Sequence, residues 1–178
     1  MKQYTDILDN LLSNGHQKKR PNGLLSLSIF GETFRHEMIN GFPLVEGRIH
    51  IDSIERELQA IISSKDEIPP ADGYDLVIVG NRLNLAWYQA EAELIGEVPK
   101  NIALHGALLL LLSKFSNLAA GTLHGTFAEC YISDTQIDAA EHLVSQDTSP
   151  LPLIGVKLHA GAPQQKKQPS FSFEYLTS

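Results

Sequence analysis

The sequence predicts an α+β fold: a mixed, mostly antiparallel β-sheet with helices packed on one face around a buried central helix. Three observations lead there. From Ile102 to Leu112 only His105 and Gly106 interrupt the aliphatic residues, and a helix apolar nearly all round must be buried on most sides. Short alternating segments such as Leu25–Phe30 and Tyr74–Val79 read as strands. Turn signals separate the strands at close spacing, so most follow one another as hairpins, with helices between.

Each element has its own signal. Ile7, Leu8, Leu11 and Leu12 recur at helical spacing in Tyr4–Leu12, and Gly15 can end that helix. His16–Gly23 is a basic loop. It is either solvated or an anion site, with Arg20 as the ligand because guanidinium matches phosphate geometry. Leu25–Phe30 is followed by Gly31-Glu32, a turn into Thr33–Met38, which gives a hairpin. Gly41-Phe-Pro-Leu44 is a rigid break, and Arg48–Ile51 is a short strand.

Asp52 or Ser53 caps a helix running through Ile62, with Ile54, Leu58, Ile61 and Ile62 on one face and Glu57 just before that stripe. Ser63–Gly73 is a polar, proline-bearing connection. Tyr74–Val79, the turn Gly80-Asn81 and Leu83–Gln89 form a hairpin. Glu91–Glu97 reads as a short helix leading to the central one, in which Pro99 suits the first turn and Asn101 can cap. Gly121–Ile132 is a strand kinked at Gly125, and Asp134 caps a helix to about Ser145, with Ile137, Ala140, Leu143 and Val144 inward. Leu151–Leu158 and Ser170–Tyr175 are two further strands, joined through a solvated linker at Gln164–Gln168.

Composition bounds the function. The 178 residues make one domain, 1–178, and 43% are hydrophobic, ordinary for a folding chain. A formal net charge of −7 argues against nucleic acid as a partner. Cys130 is the single cysteine, which excludes an internal disulfide and fits a reducing compartment. Met1–Ile7 shows no apolar signal region, so a cytoplasmic protein is the expectation. The central apolar run is too short for a bilayer, which needs roughly 20 apolar residues. The seven histidines are scattered without HxxxH spacing, so no metal site is expected. No strand ends in a Gly-rich phosphate loop.

Several segments, in order, resemble the thymidylate synthase and dCMP hydroxymethylase family. They are Met1-Lys-Gln-Tyr4, Arg20, Leu27-Ser-Ile-Phe-Gly31, Gly41-Phe-Pro-Leu44, Ser53-Ile-Glu-Arg-Glu-Leu58, Tyr88-Gln89, Pro99-Lys-Asn-Ile-Ala103, Gly121 with Thr126-Phe127, and Leu151-Pro152. The resemblance implies that family's fold and its covalent chemistry. A cysteine thiolate adds to C6 of a pyrimidine deoxynucleotide, C5 becomes nucleophilic, and a folate donor supplies one carbon. Carried over by position, Asn101 matches the base-reading asparagine, Glu57 the catalytic glutamate and Arg20 a phosphate arginine. Tyr88 and Gln89 match the start of the phosphate-binding strand end. Tyr131 and Ser133 align with the residues that hold the sugar hydroxyl, and Glu93 with the aspartate that contacts the folate.

The departures from the family decide the expectation. Pro69-Pro70 is followed by Ala71-Asp72, so an alanine stands at the nucleophile's position. Cys130 lies in a different segment and reads as a small core residue. Ala90-Glu91 replaces an arginine and a serine that grip phosphate, and a carboxylate there repels a dianion. The Ile62–Pro69 connection lacks the family's tryptophan-bearing insertion, and the chain stops at Ser178, short of the family's closing tail. The expectation is a pseudoenzyme that has lost the folate site, uses no cofactor and retains a reduced pocket for a pyrimidine nucleoside or nucleotide. One alternative is an enzyme of cysteine-independent chemistry on a pyrimidine deoxynucleotide, with Glu57 as general base assisted by Asp72 or His105. Another is a partner subunit for a full-length synthase. The alternating strands Leu25–Phe30, Leu76–Val79 and Leu83–Trp87 offer an apolar sheet face for a homodimer.

Overall fold

The apolar spacing at the N-terminus folds as α1 (Lys2–Asn14), with Tyr4, Ile7, Leu8 and Leu11 buried on one side. Gly15 closes the helix, its N–H on Leu11 O at 2.8 Å. The computed structural model describes residues 1–45, 50–63, 73–146, 149–159 and 170–176. Among them, β1 (His16–Lys19), β2 (Leu25–Glu37), β3 (Tyr74–Val79), β4 (Arg82–Glu93) and β5 (Ala119–Ser133) form a five-stranded sheet. Its order is β1-β2-β5-β4-β3. The β4–β5 pair is parallel and the others are antiparallel, so the sheet is mixed, as expected.

The central helix is α3 (Glu97–Ser116), which buries Val98, Ile102–Leu109 and Leu111 against β4 and β5. Between helix and sheet lies an aromatic stack. Trp87 lies parallel to His105 at 4.8 Å between centroids, 8° off parallel, and is flanked by Phe34 at 6.0 Å and Phe127 at 5.8 Å. On its far side α3 packs against α2 (Ile51–Ser63), while α4 (Ile137–Ser145) packs on α1. A separate two-stranded sheet, β6 (Ile154–His159) with β7 (Ser170–Tyr175), packs near α2 and α3 through Phe171 and Phe173. Glu55 Oε2 accepts the Phe173 N–H at 2.8 Å and ties α2 to β7.

Several sequence expectations need correction. Leu25–Phe30 and Thr33–Met38 are no hairpin but the continuous strand β2, which pairs with β5 from Ser26↔Ser133 to Glu37↔Thr122. Gly31 does take a left-handed φ of 82°, but as a local distortion within the strand. The basic segment read as a loop begins with the edge strand β1. Ile51 opens α2 rather than closing a strand, and Ser53 donates its hydroxyl to His50 O at 2.6 Å. The remainder of the expected strand, Arg48 and Ile49, lies outside the described residues, as does the Gln164–Gln168 linker.

Glu91–Glu93 are not helical but extend β4, and α3 begins at Glu97 with Gly96 before it. Asn101 therefore sits inside the helix, not at its cap. β5 keeps its register with β2 and β4 through Gly125, and a Cβ there would lie 2.5 Å from the Trp87 indole, so the glycine makes room for the ring. Ser133, rather than Asp134, is the capping residue after β5. It forms a capping box with Gln136, ahead of a 3₁₀ turn and α4.

Candidate functional site

The end of β4 and the start of α3 meet across a turn that Glu93 organises. Its carboxylate accepts the N–H groups of Ile95 at 2.9 Å, Gly96 at 2.7 Å and Glu97 at 3.1 Å. These are donors with no partner inside the helix, and a carboxylate at this end also suits the helix dipole. Glu93, which the resemblance leads us to expect at the position of a folate-contacting aspartate, thus has its carboxylate engaged with backbone.

One turn into α3, Asn101 Nδ2 donates to Gln89 Oε1 at 3.1 Å. Gln89 is buried on β4, and its Nε2 donates to Glu91 O at 3.0 Å. Each amide in this chain orients the next, and among the described residues Asn101 Oδ1 and one Nδ2 proton remain as a paired acceptor and donor. Below it, His105 Nδ1 bonds Asn101 O at 2.7 Å, and burial pushes the imidazole down to about 4. His105 is therefore neutral at ordinary pH, its Nδ1–H donates to that carbonyl, and Nε2 is left as an acceptor. Lys100, beside Asn101, holds Glu57 of α2 in an ion pair at 2.9 Å, with the carboxylate partly exposed.

Arg20 follows β1 and lies over the strand ends. Glu91 and Glu129 are register partners on the parallel strands β4 and β5, and Ser28 faces Tyr131 on the β2–β5 pair. Arg20 Nε donates to Ser26 Oγ at 3.1 Å and Nη2 to Glu129 Oε1 at 3.1 Å. Longer contacts run from Nη2 to Ser28 Oγ at 3.4 Å and from Nη1 to Glu129 Oε2 at 3.5 Å. Glu91 Oε1 stands 3.7 Å from Nη1, and the guanidinium covers the Tyr131 ring at 3.6 Å. Lys18 also reaches Glu129, at 2.9 Å. Burial pushes the Glu129 carboxyl upward, but bonds from Lys18 and Ser28 and the Arg20 charge outweigh it and bring it below the ordinary value. Burial pushes the Tyr131 hydroxyl upward; Arg20 opposes this, and Glu97, Glu91 and Glu93 add to it.

The structure thus brings Gln89 and Asn101 together and links them through Glu91 to Arg20, Tyr131 and Glu129. Glu57 approaches by way of Lys100. Tyr88 is exposed, one residue out of step with Trp87 and Gln89 and so on the opposite side of β4. Ser133 is occupied in its capping box. Cys130 is fully buried on β5, and burial, with Glu32 and Glu129 adding, pushes its thiol up to about 12. Pro69, Pro70, Ala71 and Asp72 lie outside the described residues, as does most of the Ser63–Gly73 connection. Sequence reasoning missed Glu129 and Lys100: nothing local marks Glu129, while Lys100 stood next to Asn101 in the motif. Among the described residues no group of three His, Cys, Asp or Glu side chains is placed to hold a metal, and no helix is long and apolar enough to cross a membrane.

Residues 2–72, which include Arg20 and Glu57, match the family model for thymidylate synthase. Within the curated relatives, the thymidylate synthase of Buchnera aphidicola subsp. Schizaphis graminum (strain Sg) is 42% identical over 59 residues. That similarity covers 33% of this chain and 22% of the relative, so the chain matches only a small part of that synthase. The α+β architecture with its mixed sheet is consistent with a thymidylate synthase-like fold. Gln89, Asn101, Glu129 and Tyr131 lie beyond the stretch that matches the thymidylate synthase family.

Proposed function

We propose that this thymidylate synthase-like protein binds a pyrimidine nucleoside or nucleotide without carrying out folate-dependent methyl transfer. The observation that carries the reading is the Asn101–Gln89 hydrogen bond at 3.1 Å. A side-chain amide held at one edge can accept from the N3–H of uracil and donate to its O4, a readout that needs the amide fixed. Methyl transfer in the family requires a thiolate. Ala71 stands at the nucleophile's position, and the Cys130 thiol is buried and protonated at any physiological pH.

The same reading includes a homodimer through the sheet. Leu76, Val77, Ile78 and Val79 of β3 are all exposed, an unusual run of aliphatic residues at a sheet edge. Light scattering across concentrations tests that part: a dimer that Val77→Glu and Val79→Glu convert to monomer is the expected result.

A thermal-shift panel tests the ligand reading. The protein and Asn101→Ala are heated with deoxyuridine, deoxycytidine, thymidine, the corresponding monophosphates and tetrahydrofolate. A ligand that binds only the folded state raises its melting temperature. A shift with one pyrimidine that Asn101→Ala abolishes is the expected result. Unshifted melting with every pyrimidine contradicts the reading.

A further inference from the structure

Each nitrogen of the Arg20 guanidinium already faces a partner within the protein. Its Nε–H is on Ser26, its Nη2 on Glu129 and Ser28, and its Nη1 on the second Glu129 oxygen with Glu91 alongside. One face is covered by Tyr131 at 3.6 Å. The fork-to-fork approach of Glu129 has the geometry in which arginine grips a phosphate. The Arg20 side chain is 10% exposed and that of Glu129 18%, so this pair is set into the protein and not merely a contact between mobile surface side chains. The surrounding charges balance: Arg20 and Lys18 stand against Glu129 and Glu91, and Glu93 and Glu97 add negative field at Tyr131.

We infer that Glu129, with Glu91, is a resident carboxylate that takes the place of a ligand phosphate on Arg20 and makes the site selective for unphosphorylated pyrimidine nucleosides. This deepens the pyrimidine reading above and rests on it. Glu91 joins the two halves of the site. Its backbone carbonyl holds Gln89, which holds Asn101, while its side chain faces Arg20. The base-reading amide is therefore joined to Glu91 by hydrogen bonds, and Glu91 to the occupied arginine by a charge contact at 3.7 Å. A nucleoside bound at Asn101 with its 5′ end toward Arg20 meets carboxylates there. A 5′-hydroxyl can donate to them, whereas a phosphate dianion is repelled and would have to displace Glu129.

Two charge-removing variants test this. Glu129→Gln keeps the shape and removes the resident anion. Glu91→Ser changes a side chain that is two-thirds exposed and leaves the buried pair in place, so it folds even if Glu129→Gln does not. The first probe is inorganic phosphate, followed by ³¹P line broadening. The wild-type protein is expected to show no binding at millimolar phosphate, and Glu129→Gln to gain it, while Glu91→Ser, in which Glu129 still occupies Arg20, is read by the second probe. The second is the affinity ratio of deoxyuridine to dUMP by calorimetry: the wild type prefers the nucleoside, and the variants move the ratio toward the nucleotide by about tenfold or more. Phosphate binding by the wild type, or a ratio unchanged in both variants, overturns the inference. Failure of every form to bind deoxyuridine and dUMP, with phosphate still gained by Glu129→Gln, overturns the pyrimidine reading and upholds the role of Glu129 against phosphate.

Discussion

Asn101 and Gln89 hold each other across the gap between a helix and a strand, amide to amide at 3.1 Å, and Gln89 is the buried member. Replacing Gln89 by Leu removes the acceptor of Asn101 and the donor to Glu91 O together. Loss of a buried partner costs about 1–3 kcal/mol. Gln89→Leu is expected to lower stability in urea by that order and, on the proposed function, to weaken pyrimidine binding even though Asn101 is intact. Unchanged affinity would mean that Asn101 needs no support from Gln89.

Gly125 is fixed by packing against the single tryptophan. A Cβ there would meet three Trp87 ring atoms between 2.5 and 2.9 Å. Overpacking of a well-filled core costs about 1–3 kcal/mol. Gly125→Ala is expected to lower the unfolding midpoint accordingly and to shift the Trp87 emission, which is read without interference because no other tryptophan is present.

The pH dependence follows from His105. In the unfolded chain its imidazole takes up a proton near the ordinary value of 6.5, while in the folded protein burial lowers that to about 4. Between these values the unfolded state binds more protons, so stability falls as pH falls from 6.5 toward 4, and below 4 this contribution flattens. The full window amounts to up to about 3 kcal/mol. Urea unfolding of the wild type and His105→Gln at neutral pH and at pH near 4.5 measures it. The wild type is expected to lose more stability on acidification than the variant. His36, also lowered by burial, adds a loss of the same sign to both proteins.

Cys130 is expected to be inert toward thiol reagents in the folded protein, since its thiolate is disfavoured by burial and access is closed. Labelling should appear only on addition of denaturant. Glu57→Gln, which breaks the partly exposed pair with Lys100, is expected to change stability by less than about 1 kcal/mol.

Local signals made much of the fold legible. Tyr74–Val79, its Gly80-Asn81 turn and Ser170–Tyr175 are strands and a turn where β-branched and aromatic residues, alternation in Ser170–Tyr175 and turn chemistry place them, and the apolar run is the buried helix. The failures have a common cause. Gly31-Glu32 carries a hairpin signal, but β5 lies alongside the whole of β2, and long-range pairing overrides a local turn preference. What Gly125 provides, room for a ring that approaches from another strand, has no local signal either. The site shows the same limit. Asn101 and Arg20 were visible through the resemblance, whereas the partner that occupies Arg20 stands 109 residues away in sequence with no local pattern of its own.

A pyrimidine site built on Asn101 is tested most directly by calorimetric titration of deoxyuridine into the wild-type protein and into Asn101→Ala, with circular dichroism to verify that both are folded. Saturable binding by the wild type is expected, with a loss of about tenfold or more in Asn101→Ala, the scale of hydrogen bonds left unmade in a buried site. Equal affinity in the two proteins, or no binding by the wild type to this or any other pyrimidine, would contradict such a site.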